Sequence, residues 1–167
     1  MAVVLGHNVD SSHYLREHRY TPITEAVHPS TLQLLAYWRE CEARGGMTMG
    51  RDVPARAIAN LLRDVTVSEP VNDWADARIR LAGFGMAEHF GRDVSGMLMS
   101  DVFAGDPSDM KLLLDGSRWV TAKNKPGIIE HVILDKGREI LRQEMTAVPL
   151  RAPDGDARWI LVGTFNF

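Results

Sequence analysis

The 167-residue chain has a single cysteine, Cys41, so no intramolecular disulfide can hold it together. No stretch approaches the ~18 consecutive apolar residues of a membrane span. The opening Met-Ala-Val-Val-Leu-Gly lacks the basic flank and long apolar run of a secretory signal, which points to the cytoplasm. A net charge of -3 and a pI near 6.1 give no broad basic field, so neither nucleic acid nor an anionic membrane surface is an expected partner. The chain also lacks a Gly-x-x-x-x-Gly-Lys phosphate loop and a nucleophile elbow. Gly83-Phe84-Gly85 begins like a dinucleotide-binding fingerprint, but the third glycine is replaced by Glu88, whose carboxylate would repel a pyrophosphate.

What is present is ordinary for one folded unit: 45% hydrophobic and 25% charged residues, enough to bury about two-thirds of the unfolded surface. Residues 76–96 organise the rest. Ala77, Ile79, Leu81 and Gly83 alternate with Arg78, Arg80 and Ala82, the period-2 pattern of a strand. Gly83 and Gly85 bracket a turn, and a short helix over 86–90 ends at Gly91. The alternation puts Gly83 on the side of Ile79 and Leu81.

Upstream, residues 1–28 show no period, and their four histidines, His7, His13, His18 and His28, lack metal-ligand spacing, so a loosely attached arm without chemistry is expected. Ser30-Thr31-Leu32-Gln33 reads as a capping box opening a helix. Its stripe of Leu34, Leu35, Trp38 and Cys41, with Tyr37 alongside, is too apolar for solvent, and Gly45-Gly46 ends it. Pro54 suits the first position of a second short helix. Val65, Val67 and Val71 mark a first strand, paired through an Asn72-Asp73 turn with the organising strand.

Downstream, residues 97–103 form another short helix, and Asp106-Pro107-Ser108-Asp109 starts a longer one carrying Met110, Leu113, Leu114, Ser117 and Val120 on one face. Residues 127–135, 139–152 and 157–167 are three long strands joined at Lys136-Gly137 and Asp154-Gly155. Trp159, Leu161 and Phe165 point one way, Ile160 and Val162 the other, so both faces of the sheet need cover. Two strands, a run of helices and an antiparallel meander make an α+β order.

The words Arg80-Leu81-Ala82-Gly83 and Phe90-Gly91-Arg92-Asp93-Val94-Ser95-Gly96 resemble a bacterial, stand-alone branch of the PAS sensory domains. The likeness extends to Tyr37-Trp38, Arg44-Gly45-Gly46, Asp52-Val53-Pro54, Glu144-Met145, Val148-Pro149-Leu150 and Ile160-Leu161-Val162-Gly163. Phe84 and Gly50 depart from it, where relatives carry a small polar residue and a proline. The resemblance implies a PAS-like fold: a five-stranded antiparallel sheet with helices on one face and the amino-terminal helix on the other face or at a dimer interface. The chain then divides into an arm over 1–28, a helical segment over 29–63 and a PAS core over 64–167.

The same resemblance implies a sensory or protein-interaction module in bacterial signal transduction, not an enzyme, that passes its signal to a separate partner protein. A small ligand would sit between the long helix and the sheet, among Ile79, Leu81, Phe90, Met97, Phe103, Leu113, Ile129, His131, Met145 and Leu161. A homodimer interface would use Leu34, Tyr37, Trp38 and Cys41. No catalytic or metal-binding set stands out. Haem is disfavoured because the long helix carries no histidine, and flavin photochemistry because Cys41 lies in no Asn-Cys-Arg-Phe-Leu type run. The alternative is a small-substrate enzyme using His131 with a nearby carboxylate, which needs an open polar cavity and a direct histidine–carboxylate hydrogen bond. The acidic pairs Glu130/Asp135 and Glu139/Glu144 read as solvated faces.

Overall fold

The computed structural model describes residues 2–4, 16–104 and 107–167. In chain order these form β1 (Ala2–Val4), β2 (Glu17–Ile23), α1 (Pro29–Ala43), a 3-10 segment (Arg56–Asp64), β3 (Val65–Val71), β4 (Asp76–Ala82), α2 (Phe84–Phe90), α3 (Met99–Val102), α4 (Pro107–Lys123), β5 (Gly127–Asp135), β6 (Arg138–Arg151) and β7 (Arg158–Asn166). The fold is α+β. All strands join one antiparallel sheet in the order β1-β2-β5-β6-β7-β3-β4.

The sheet therefore has seven strands rather than the expected five, because β2 adds to the free edge of β5 and β1 adds to β2. β2 lies in the stretch expected to be an arm, yet it pairs with β5 from Glu17↔Leu134 to Ile23↔Ile128. Its sequence, Glu-His-Arg-Tyr-Thr-Pro-Ile, hides the strand because one face carries His18 and Tyr20 where an apolar alternation would be sought. Of the arm, residues 1 and 5–15 lie outside the described residues, as does the expected cap Asp106.

Each face of the sheet has its own core. On one side Leu34, Leu35, Trp38 and Cys41 of α1 and Ile58 and Leu61 of the 3-10 segment are buried against Val65, Val67, Val148, Leu150, Leu161 and Phe165. On the other, Leu114 and Val120 of α4, Met99 of α3 and Val94 are buried with Ala77, Ile79 and Ile160. Alternate residues of β6 and β7 serve the two layers in turn, which is the pleat at work.

Three local readings change. The helix opens one residue early, with Pro29 in its first turn and His28 as its cap: the His28 Nδ1 accepts from the Ser30 amide at 3.0 Å. Gln33 does not reach back to close a capping box; its amide instead bonds Asn60 and the Ala57 carbonyl of the 3-10 segment. Pro54 lies before the second helix, behind a cis peptide bond, and Ala55 is the cap. Finally, β3 and β4 pair Val67 with Leu81 but Ser68 with Ile79, leaving Arg80 as a bulge. That extra residue swings Leu81 onto the α1 face while Ile79 stays on the α4 face.

Candidate functional site

The helix-side layer, where a ligand is expected, has a partly buried periphery. Around the buried cluster sit half-buried Met86 and Phe90 of α2, Met97, Val102, Phe103, and Met110 and Leu113 of α4. Phe90 and Phe103 meet edge to face with centroids 5.4 Å apart. Methionines fill irregular space and re-pack at little cost, so this layer can change shape more readily than the α1 layer, where most members are fully buried.

Of the ten residues expected around a ligand, Ile79, Phe90, Met97, Phe103 and Leu113 come together in this layer. Leu161 and Leu81 do not: they belong to the α1 core, Leu161 by strand alternation and Leu81 by the Arg80 bulge. Ile129 and Met145 face each other across β5 and β6. His131 stands further along the same face. A shallow, open depression of about 300 Å3 lies elsewhere, lined by Pro70, Asp73, Trp74, Arg118, Thr121, Ala122 and Arg158.

His131 anchors a polar row that runs across four strands. Register places Tyr20 opposite His131, His131 opposite Gln143 and Gln143 opposite Asn166. The His131 Nδ1 lies 2.9 Å from the Gln143 Oε1, and the Gln143 Nε2 donates to the Asn166 Oδ1 at 2.7 Å. The Tyr20 ring stacks on the imidazole with centroids 4.3 Å apart and 7° between planes. Its hydroxyl donates to the Asp109 Oδ2 at 2.7 Å, tying β2 to the first turn of α4, where a carboxylate suits the helix dipole. His18 completes the group, its Nδ1 3.0 Å from the His131 Nε2 and 4.0 Å from the Asp109 Oδ2.

This is not the geometry that the enzyme alternative needs. Both ring nitrogens of His131 face Gln143 and His18 rather than a carboxylate, and the residue is only 7% exposed. Burial pushes the His131 imidazole below its ordinary range; the Gln143 bond and Asp109 oppose that, and His18 adds to it. Sequence reasoning had placed His131 on a strand but missed His18, Tyr20 and Gln143. The i, i+2 spacing of His18 and Tyr20 was the available signal.

On the opposite face, Glu144 is buried, at 1% exposure, rather than solvated. Its carboxylate accepts from the Val27 amide at 3.0 Å and the His28 amide at 3.0 Å, pinning the start of α1 to the sheet. The residues expected at a dimer interface are consumed inside the chain. Leu34 and Cys41 are fully buried, and the Trp38 Nε1 donates to the Pro149 carbonyl at 3.1 Å. The Tyr37 hydroxyl donates to the Asp52 carbonyl at 2.7 Å and is pushed up to about 12 by burial and by neighbouring Cys41. Asp52, beside it, is drawn up by burial but held below the usual carboxylate range overall by Arg51 and the Thr48 amide. Val27, Leu32 and Phe167 are exposed apolar side chains, and the His28 ring meets that of Phe167 with centroids 5.1 Å apart.

The fold is a mixed sheet-and-helix domain whose helix-side layer is rimmed by half-buried methionine and phenylalanine side chains. A family model described as PAS domain matches residues 26–165, and the chain belongs to that family. The match takes in α1, the 3-10 segment and strands β3 to β7, while β1 and β2 lie before it. No curated protein and no solved structure matches the chain. Among the described residues no helix is long and apolar enough to cross a membrane.

Proposed function

We propose that the chain is a PAS sensory and protein-interaction module of bacterial signal transduction, working in the cytoplasm, that takes a small, largely apolar ligand into its helix-side layer and passes the change to a separate partner. One observation carries the reading: the half-buried ring of Met86, Phe90, Met97, Phe103, Met110 and Leu113 around a small buried centre, on the face where α2, α3 and α4 cover the sheet. Such a ring re-packs around a guest at low cost, and every helix that touches it would shift together. Signal transfer then needs an exposed apolar surface. Val27, Leu32 and Phe167 supply one for a second copy or a partner protein, in place of the Leu34, Tyr37, Trp38 and Cys41 set.

Native mass spectrometry of the purified chain, with an absorption spectrum on the same sample, tests the ligand. A retained small molecule that is lost from a Leu113→Trp variant supports the reading. An empty, colourless protein that no apolar small molecule stabilises against heat would leave interaction alone as the function. Light scattering on Leu32→Glu tests the surface: a dimer that becomes monomeric supports the assignment, and an unchanged oligomeric state removes it.

A further inference from the structure

The pair of buried His131 and half-buried His18 joins an added strand to the PAS sheet, and the bonds around it fix its hydrogen-bond roles. The Gln143 amide is oriented by its Nε2, which donates to Asn166, so its Oε1 is the acceptor facing His131. The His131 Nδ1 therefore carries a hydrogen. In the neutral ring the Nε2 is then a lone pair, and the 3.0 Å contact with His18 must be a donation from the His18 Nδ1.

Protons added to the two rings have different consequences. One added at the His18 Nε2 leaves the Nδ1 still donating, and Asp109, 4.0 Å away, faces the resulting charge. One added at the His131 Nε2 sets two donors against each other and, with His18 charged, two cations in stacked rings 5.1 Å apart. Only the second breaks the pair. The groups facing His131 are His18 and Tyr20 from β2, Asp109 from α4 and Gln143 from β6; Asp109 is the one carboxylate that the described contacts bring to it, and Tyr20 and His18 stand closer to that carboxylate.

We propose that the His18–His131 pair is a proton-controlled clasp: protonation of His131 detaches β2, together with β1, from the edge of β5. The strands are held there by the ladder from Glu17↔Leu134 to Ile23↔Ile128 and by the side-chain bonds of His18 and Tyr20. Opening would bare the β5 edge, a row of unpaired backbone groups able to accept another strand. The sign follows from burial. Folding favours neutral His131, so the clasp is complete above the ordinary imidazole value near ~6.5 and loosens as pH falls from there through the depressed value of His131. The clasp acts at the sheet edge and does not depend on whether the helix-side layer binds a ligand.

Amide hydrogen exchange on the full chain, corrected for the intrinsic pH dependence of exchange, tests it between pH 7.5 and 5.0. Protection over residues 17–23 is expected to fall as the pH drops below the ordinary imidazole value, by up to ~10-fold per pH unit for one linked proton. Protection of the β3–β7 pair is expected to hold. In His131→Phe, which has no titrating ring at the centre of the clasp, the pH dependence over 17–23 should vanish. Equal loss in both strand pairs, or a pH dependence that survives in His131→Phe, overturns the proposal. Should that variant fail to fold, nitrogen-15 spectra of the wild-type imidazoles decide: His131 protonated at Nδ1 at neutral pH and losing that signature as β2 opens supports the clasp, and the Nε2–H tautomer overturns it.

Discussion

Gly83 sits where the organising strand hands over to α2, and the structure gives a sharp reason for its lack of a side chain. A Cβ built there would lie 2.2 Å from the Arg63 carbonyl oxygen, 2.4 Å from that of Leu62 and 2.6 Å from the Arg63 carbonyl carbon. All three are backbone atoms at the end of the 3-10 segment, far inside the ~3.5 Å of ordinary contact, so no rotamer change relieves the clash. The Gly83 amide also donates to the Val65 carbonyl at 2.9 Å, so the corner cannot simply swing away. Its φ of -65° is open to any residue, which leaves closeness as the whole cause. Overpacking commonly costs 1–3 kcal/mol, and with backbone on the receiving side about 3 kcal/mol is expected even for Gly83→Ala, with Gly83→Val costing more. For a chain of this size that is a melting point lowered by roughly 6–12 °C. Gly116, inside α4 with nothing within 4 Å of its notional Cβ, is the control: Gly116→Ala should gain up to ~1 kcal/mol from helix propensity. Thermal melts of the variants beside wild type read both signs. An unchanged or raised melting point for Gly83→Ala would refute the close approach of strand end and 3-10 segment.

Glu144→Ala should remove the acceptor for the Val27 and His28 amides and cost about 1.5–3 kcal/mol in denaturant unfolding, with Glu144→Gln costing less because one oxygen remains; equal stability of all three would mean the pin is idle. Trp38→Phe keeps most of the packing but forfeits the bond to the Pro149 carbonyl, an expected loss of about 1 kcal/mol by the same assay. Deleting residues 1–46 should strip the cover from Val148, Leu150, Leu161 and Phe165 and leave an insoluble or unfolded product; a soluble fragment of unchanged stability would contradict the α1 core.

Much of this was legible in the residues because the two periods were clean. The hairpin of β3 and β4, the long helix and the three-strand meander were placed by alternation and turn chemistry, and the PAS motifs fall on the strand, the short helix and its glycine stop at Gly91. What stayed hidden was whatever depended on partners distant in sequence. β2 reads as arm because its inward residues are histidine and tyrosine, satisfied only once β5, β6 and α4 are in place. Glu144 reads as solvated because nothing local announces that two backbone amides from residues 27 and 28 will cover it. The resemblance put Ile79, Phe90, Met97, Phe103 and Leu113 in one layer and they share it, whereas Leu81 faces the α1 core because the one-residue bulge at Arg80 reverses the side chains beyond it.

The central claim is that the helix-side layer is the deformable, ligand-accepting face while the α1 layer is rigid, and methyl relaxation dispersion of the methionines tests it most directly. Met86, Met97 and Met110 sit in the half-buried ring, and Met47, fully buried in the α1 core, is a built-in reference. Microsecond-to-millisecond exchange at the first three, quenched by a bound ligand and absent from Met47, is the expected result. Uniformly quiet methyls, or exchange as large at Met47 as in the ring, would contradict it.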